Sequence, residues 1–278
     1  MTVASTVFSE LLHDAQQTNN SLLCVGLDPD INRFPEGVAK EPEAVLTFNR
    51  AIIEATSDLA SCYKPNLGFY LRYGKAGIAA LADLRQAIPA HIPVLLDAKI
   101  GDIDTTTAAY ANAYFDEWRF DAVTAHPFMG QDSLQPLLDY PDRCVFILAK
   151  TSNPGSGFLQ DRVLDGSDQR VSISVARNAV KWNVAGNVGL VVGATYPRDL
   201  AEVRTVARDL PILIPGIGPQ SGELEASVRA GIDGEGAGLL LNASRAICYA
   251  SSGPNFQDAA RSAAMSLRDR INAARGSD

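Results

Sequence analysis

The chain has 278 residues, 46% of them hydrophobic, a composition typical of a globular protein with a sizeable core. Its 32 Asp and Glu residues outnumber its 24 Lys and Arg residues, so the formal net charge is −8, and no dense basic run is present. We therefore expect no nucleic-acid-binding surface, and an anionic ligand would need a local site of basic side chains or backbone amides.

Neither the N-terminus nor the cysteines suggest a secreted or membrane protein. The N-terminus lacks the basic and apolar segments of a signal peptide, and no apolar run is long enough to span a membrane. No two cysteines have the C-x-x-C spacing of a metal site: Cys24, Cys62, Cys144 and Cys248. Because three of them lie in or beside apolar runs, we expect buried, reduced thiols in a cytoplasmic protein.

Apolar runs alternate with segments of helical periodicity along the chain. The first helical segment, 6–17, carries Phe8, Leu11, Leu12 and Ala15 on one face. Further helices are predicted at 43–56, 74–87, 106–118, 173–183, 199–208 and 224–230. Eight apolar runs are predicted to be strands: 22–28, 61–66, 92–99, 122–126, 144–151, 188–193, 211–216 and 238–242.

This alternation predicts an α/β fold with a parallel sheet, and the count of eight favours a single (β/α)8 TIM barrel. The extra N-terminal helix is expected to cover the bottom of the barrel. No linker or low-complexity segment divides the chain, so residues 1–278 are predicted to form one domain.

Polar residues collect where the predicted strands end, which is where TIM-barrel enzymes carry their chemistry. These residues are Asp28, Lys64, Asp97 with Lys99, His126, Thr151-Ser152-Asn153, Gly216-Ile217-Gly218 and Asn242-Ala243-Ser244-Arg245. Any one of them could simply be a polar residue that ends a strand, but this explains the whole set poorly. His126 is interpreted as a structural histidine rather than a ligand-binding one. The set as a whole predicts an active site at the carboxyl ends of the strands.

The most informative segment follows the third predicted strand and reads Asp97-Ala98-Lys99-Ile100-Gly101-Asp102. Asp97 and Lys99 lie two residues apart, so an extended strand would project both from one face. Asp102 follows in the loop or the first helical turn. Two carboxylates beside an ammonium form a proton-transfer site if water is excluded. A strand-end salt bridge followed by a helix N-cap explains the same residues without any activity.

A second set of residues predicts a phosphate site. The glycine-rich segment Pro215-Gly216-Ile217-Gly218-Pro219-Gln220 follows the seventh strand, and Arg245 follows the eighth. Glycine lets backbone amides approach an anion closely, and arginine can bind phosphate through two hydrogen bonds. The glycines alone could be a tight turn, but in TIM barrels these two loops commonly bind phosphate.

Together these residues resemble the orotidine 5′-phosphate decarboxylase family, from about Leu22 to Ile247. The matching motifs are Gly26-Leu27-Asp28-Pro29, Lys64-Pro65-Asn66, Asp97-x-Lys99-x-x-Asp102-Ile103-x-x-Thr106, Thr151-Ser152-Asn153-Pro154-Gly155, Pro215-Gly216-Ile217-Gly218 with Gln220, and Ser244-Arg245. The second and fourth resemble the longer bacterial branch. The resemblance implies cofactor-independent decarboxylation of orotidine 5′-monophosphate to uridine 5′-monophosphate, the last step of de novo pyrimidine synthesis.

The resemblance also implies the catalytic roles. Lys64, Asp97, Lys99 and Asp102 would form an alternating charged array in which Lys99 protonates C6 of the pyrimidine. Asp97 would lie near the departing carboxylate, and Lys64 would orient Asp97 and contact the ribose. Asp97 and Asp102 would keep Lys99 charged, and its ammonium would stabilise the C6 carbanion.

The implied binding residues surround that array. Asp28 would bind the ribose hydroxyls, Ser152 the pyrimidine edge, and a last group the phosphate: Gly216, Gly218, Gln220 and Arg245. Asp102, Ile103 and Thr106 would reach the neighbouring subunit's site, so the active enzyme would be a homodimer. The segment 154–169 is long and polar, so its lid is expected to differ from that of shorter relatives.

Two other functions stay open on the sequence. A related Mg²⁺-dependent barrel that decarboxylates or condenses sugar phosphates would share the Asp-x-Lys-x-x-Asp core, and sensitivity to EDTA would distinguish it. A non-catalytic phosphate-binding barrel would not need an ammonium between carboxylates. No cofactor or metal is expected, because His13, His91 and His126 are scattered, and the expected partner is a small nucleotide rather than a nucleic acid or a membrane.

Overall fold

The computed structural model describes residues 7–194, 197–217 and 223–276. Its strands follow the predicted order and are β1 Leu23–Gly26, β2 Cys62–Lys64, β3 Leu95–Ile100, β4 Ala122–Ala125, β5 Cys144–Lys150, β6 Val188–Val192, β7 Ile212–Ile214 and β8 Leu239–Ala243. They lie in the order β2-β1-β8-β7-β6-β5-β4-β3, and all pair in parallel. Parallel bridges from Tyr63 to Val94 and from Asn66 to Asp97 join β2 to β3. The eight strands therefore form the predicted TIM barrel.

Helices connect the strands and cover the barrel. They are α1 Val7–Thr18, α2 Val45–Thr56, α3 Leu67–Leu71, α4 Gly74–Ala87, α5 Asp104–Ala111, α6 Gln131–Leu138, α7 Val171–Trp182, α8 Pro197–Val206, α9 Glu223–Gly231, α10 Arg245–Cys248 and α11 Phe256–Arg275. A π-helical turn, Asn112–Glu117, continues α5. The sequence pattern did not predict α3, α6, α10 or α11. The helices α3, α6 and α10 are short, and α6 also contains Pro136. The 20-residue α11 buries one face made of Phe256, Ala260, Ala264, Leu267 and Ile271, a helical spacing that the sequence-based prediction missed.

The N-terminal helix covers the bottom of the barrel as predicted. Phe8, Leu12 and Ala15 are buried, and Leu11 is half-buried at the edge of the same face. The ring of Phe8 meets that of Phe146 edge-on, with 5.8 Å between centroids. Phe8 and Leu12 pack against the inward side chains that begin the strands, so α1 closes the end of the barrel opposite the polar strand ends.

The buried cysteines agree with the expectation from the sequence. All four cysteines are buried free thiols. Within the part of the chain that the structure describes, no helix is both long and apolar enough to cross a membrane.

Two strands are irregular at the end that carries the polar residues. The pairing of β3 with β4 shifts between Leu96 and Ile100, and the pairing of β5 with β6 shifts between Leu148 and Lys150. Such bulges bend a strand and re-aim its side chains. The irregular positions adjoin Asp97, Lys99 and Ser152, so the barrel departs from regular geometry where the candidate site lies.

Candidate active site

Asp97 is the centre of the candidate site. It is buried within β3, and each of its carboxylate oxygens contacts a different lysine. Lys64 Nζ, from the end of β2, lies 3.1 Å from Oδ2, and Lys99 Nζ lies 2.5 Å from Oδ1. The structure therefore brings together three of the four predicted catalytic side chains through ion pairs to one carboxylate.

Two neutral side chains complete the hydrogen bonds of Asp97. Asn66 Nδ2 donates to Oδ2 at 2.9 Å, and Thr124 Oγ1 donates to Oδ1 at 2.9 Å. The Lys99 backbone N–H in turn donates to Thr124 Oγ1 at 2.9 Å. The sequence motifs included Asn66 without a role and did not single out Thr124. The only signal for Thr124 was a hydroxyl within the otherwise apolar strand Ala-Val-Thr-Ala.

The charges of Asp97 and Lys64 stabilise each other. Burial acts to raise the pKa of Asp97, but the charges of Lys64 and Lys99 and their hydrogen bonds outweigh it and hold that pKa well below its usual range. Burial likewise acts to lower the pKa of Lys64, and attraction to Asp97 and Asp28 outweighs it, so that pKa lies above its ordinary value. Both groups are therefore ionised at neutral pH although both are buried.

Lys99 reaches Asp97 by a different route from the one its spacing suggests. An unbroken strand would place both side chains on one face, but the backbone of Lys99 has a φ of +49° at the β3 irregularity. This left-handed conformation is uncommon for lysine and costs about 1–3 kcal/mol. The side chain of Lys99 is 47% exposed while the side chains of Lys64 and Asp97 are buried. Its ammonium is thus both paired with Asp97 and accessible from the open end of the barrel.

The other predicted ligand-binding residues lie around this end. Asp28 follows β1, and its Oδ1 accepts the N–H of Asn66 at 3.2 Å, which places it beside the end of β2. Ser152 follows β5 and packs against Gly193, where an added Cβ would lie 2.7 Å from the Ser152 nitrogen. A Cβ on Gly216 would lie 3.9 Å from Ser152 Oγ. The segments that follow β5, β6 and β7 therefore converge at Ser152.

The segment after β3 does not join the Asp97 cluster within one chain. The Asp102 Oδ1 accepts the N–H of Ile103 at 2.7 Å. Within the described ranges, no lysine or arginine nitrogen lies within 4.0 Å of its carboxylate. The side chain of Ile103 is 56% exposed, and Thr106 is half-buried in the first turn of α5.

The predicted phosphate site is described in part. Gly216 is exposed and has a φ of +86°, a conformation that favours glycine. Arg245 begins α10 and is exposed, and its guanidinium makes no ion pair with any residue that the structure describes. Gly218 and Gln220 lie outside the described residues. A Cβ on Gly26 would come within 2.7 Å of Ser244 Cβ, so glycine is needed where β1 passes the start of α10.

No group of three or more His, Cys, Asp or Glu side chains arranged to hold a metal ion occurs among residues 7–194, 197–217 and 223–276. The ring of His126 packs on Gly101, where an added Cβ would lie 2.1 Å from its Cε1. Its buried Nδ1 has no hydrogen-bond partner among the described residues, so the structural role of that histidine stays a prediction.

Comparison with known proteins identifies the family. Residues 21–261 match the family described as orotidine 5′-phosphate decarboxylase / HUMPS. The chain belongs to this family. It is 54% identical over 265 residues to the orotidine 5′-phosphate decarboxylase of Thermomicrobium roseum, covering 95% of this chain and 94% of that protein. It is 49% identical over 269 residues to the one from Roseiflexus castenholzii, covering 96% and 98%.

Solved structures extend this family relationship to the fold. The OMP decarboxylase of Leishmania donovani is 44% identical and covers 98% of this chain and 99% of its own, with a TM-score of 0.85. The family membership and the barrel that the sequence resemblance implied are both confirmed.

The ion pairs predict a specific acid dependence of stability. Asp97→Asn leaves Lys64 buried without its carboxylate, so we expect the free energy of unfolding to fall by about 3–5 kcal/mol at pH 7. Because the folded state lowers the pKa of Asp97, the wild-type advantage is fully present above the unfolded pKa of about 3.9 and shrinks as the pH falls further. Urea denaturation from pH 7 to pH 2.5 measures this difference.

Asp83→Asn is the matched control, because Asp83 is exposed on α4 and makes no ion pair within the described residues. We expect that control to match the wild type at each pH. A loss below about 1 kcal/mol for Asp97→Asn at pH 7, or a loss that stays constant at low pH, would contradict the electrostatic account.

Proposed function

We propose that the protein decarboxylates orotidine 5′-monophosphate to uridine 5′-monophosphate without a cofactor, the last step of de novo pyrimidine synthesis. The observation that carries this proposal is the pairing of Asp97 with Lys64 and Lys99 at the open end of the barrel. Relatives that carry the name orotidine 5′-phosphate decarboxylase match nearly the whole chain, which supports the same reaction.

Lys99 has the chemistry that this reaction requires. When the bond from C6 to the carboxylate breaks, its electron pair stays on C6 and CO₂ departs. That carbanion has little resonance stabilisation, so a fixed ammonium beside C6 lowers the barrier. Lys99 then donates a proton to C6, and the resulting neutral amine regains a proton from water.

Asp97 and Lys64 prepare Lys99 for this role. Asp97 lies near the leaving carboxylate and holds the Lys99 ammonium in place. Lys64 balances the negative charge of Asp97. Four hydrogen-bond donors already fill the two oxygens of Asp97, which leaves little capacity for a metal ion there: Lys64, Asn66, Lys99 and Thr124. This supports a mechanism carried by side chains alone.

The remaining residues bind parts of the nucleotide away from the reacting carbon. Asp28 is assigned to the ribose hydroxyls and Ser152 to the pyrimidine edge. Four residues are assigned to the phosphate: Gly216, Gly218, Gln220 and Arg245. Binding energy from the phosphate can be used to position the pyrimidine on Lys99, so it contributes to the chemical step as well as to affinity.

We also propose a homodimer in which Asp102, Ile103 and Thr106 enter the partner's site. Asp102 lacks an ion-pair partner among the described residues of its own chain, and apolar side chains are exposed near it. Ile103 lies just before α5, and Phe128, which is 79% exposed, lies just before α6. The packing of Gly101 on His126 places these two segments side by side. An exposed apolar surface of this kind supports association of two chains.

A cytoplasmic location is proposed on the cysteines. All four are free thiols in the interior, as expected for a protein that matures under reducing conditions.

Lys99→Ala tests the central chemical role. We expect decarboxylation to fall by more than about a thousandfold, because both the carbanion partner and the proton donor are lost, while uridine 5′-monophosphate binding weakens far less. The absorbance change of orotidine 5′-monophosphate measures the rate, and circular dichroism verifies the fold. Lys75→Ala, at an exposed lysine of α4, is the control. Activity of Lys99→Ala within tenfold of wild type would eliminate this mechanism.

Arg245→Ala tests the phosphate site. Loss of a charge-assisted contact is expected to cost about 2–3 kcal/mol, which lowers kcat/KM by roughly 30- to 150-fold. Added guanidinium should restore part of the rate. Turnover of orotidine, which has no phosphate, should be equally poor in the variant and the wild type. Normal kcat/KM for the phosphorylated substrate would show that the phosphate binds elsewhere.

Subunit mixing tests the shared active site. Lys99→Ala and Asp102→Ala homodimers should each be nearly inactive, but a mixed dimer has one site with both lesions and one with neither. Random exchange makes about half the dimers mixed, so activity should return to roughly a quarter of wild type. Absence of recovery after proven exchange would mean that Asp102 serves its own chain.

A further inference from the structure

Lys150 is a completely buried lysine that the proposed mechanism does not use. It is the last residue of β5 and immediately precedes Thr151 and Ser152. Its Nζ lies 2.6 Å from Oδ1 of Asp161, which belongs to the segment 154–169. Because a buried ammonium is costly without a counter-charge, this ion pair ties the segment to the end of the strand.

Gln160 makes a second connection at the same place. The Thr151 N–H donates to Gln160 Oε1 at 2.9 Å, and Gln160 Nε2 donates to Thr151 Oγ1 at 3.0 Å. The backbone carbonyl of Gln160 accepts the N–H of Ser172, in the first turn of α7, at 3.0 Å. Residues 160–161 are therefore held between the end of β5 and the start of α7.

An arginine and a glycine lie next to the Asp161 carboxylate. Arg170 Nη1 lies 3.9 Å from Asp161 Oδ1 and 2.6 Å from Asp199 Oδ1, and Arg170 also pairs with Glu202. A Cβ on Gly157 would lie 2.8 Å from Asp161 Oδ2, so a larger residue at that position would displace the carboxylate. Elsewhere in the 154–169 segment, the side chain of Phe158 is 81% exposed.

We propose that Lys150 is a positioning residue for substrate binding. Through Asp161 it fixes the base of the 154–169 segment and, together with Gln160, fixes the backbone that presents Ser152 to the pyrimidine. This inference rests on the proposed contact between Ser152 and the pyrimidine edge. The ammonium of Lys150 is fully buried while the Asp161 side chain is 43% exposed, so an apolar side chain in place of Lys150 removes a desolvated charge and leaves a carboxylate that water can still reach. The position of the pair, directly before Thr151 and Ser152, supports a geometric role.

Lys150→Met separates that role from stability. The variant fills a similar volume and removes the buried charge, so we expect a melting temperature equal to or above that of wild type. Its kcat/KM for orotidine 5′-monophosphate should fall about 10- to 100-fold, mostly through KM, because Ser152 is no longer held in place. Inhibition by ribose 5-phosphate, which lacks the pyrimidine, should not change. Lys181→Met, at an exposed lysine of α7, is the matched control.

Asp161→Asn and the double variant complete the comparison. Asp161→Asn leaves Lys150 buried without the carboxylate, so it should lower both the melting temperature and kcat/KM. Lys150→Met/Asp161→Asn should recover the melting temperature but keep the raised KM. A residue with a merely structural role would instead show KM recovering together with stability.

Ser152→Ala distinguishes failure of this inference from failure of the site assignment. If Ser152→Ala has wild-type kcat/KM, the proposed pyrimidine contact is wrong, and the inference falls with it. If Ser152→Ala is impaired while Lys150→Met stays within twofold of wild type, the contact stands and the positioning role of Lys150 is overturned. Equal weakening of ribose 5-phosphate and substrate by Lys150→Met would also overturn it.

Discussion

A carboxylate held in the interior between two ammonium groups is the interaction on which the site depends. Asp97 is buried, and so is Lys64, and neither charge would be tolerated there without the other. Two neutral donors, Asn66 and Thr124, fill the remaining hydrogen-bonding capacity of the carboxylate. The result is a fixed negative charge that holds the exposed ammonium of Lys99 in one place before substrate arrives.

The barrel makes this arrangement possible because it joins the first and last strands of the sheet order. Lys64 ends β2 and Asp97 lies in β3, and these two strands meet where the barrel closes. The bridge from Asn66 to Asp97 makes that joint part of the site itself. The irregularity at Lys99 then turns its side chain toward the same carboxylate. The pairing that closes the barrel therefore also brings Lys64 and Asp97 together.

The sequence predicted the eight strands because parallel barrel strands are continuous apolar runs that end in polar residues. The exact bounds of the strands were predicted less well. The third strand was predicted to begin at residue 92, but it begins at Leu95. Pro93 precedes it and has no N–H to donate to a neighbouring strand. The strand ends predicted that Lys64, Asp97 and Lys99 lie at one end of the barrel, and the family resemblance grouped them in one charged array. The helix α11 was missed, although its buried residues Phe256, Ala260, Ala264, Leu267 and Ile271 recur at helical spacing.

Residues that act by positioning other residues could not be predicted from the sequence. The role of Thr124 depends on the register between β3 and β4, and the role of Lys150 depends on a contact with Asp161, which the long 154–169 segment brings back to the strand. Neither pairing leaves a local pattern. The left-handed backbone of Lys99 is equally invisible, because lysine has no preference for that conformation.

A crystal structure with bound uridine 5′-monophosphate would show where the reacting carbon lies relative to Lys99 and Asp97. We expect Lys99 Nζ to be the nearest cationic group to C6, at about 3–3.5 Å, while it is still paired with Asp97. The phosphate should contact Arg245 and the pyrimidine edge should contact Ser152. A nucleotide bound with C6 turned away from Lys99, or with Lys99 displaced from Asp97 to make room, would contradict this expectation.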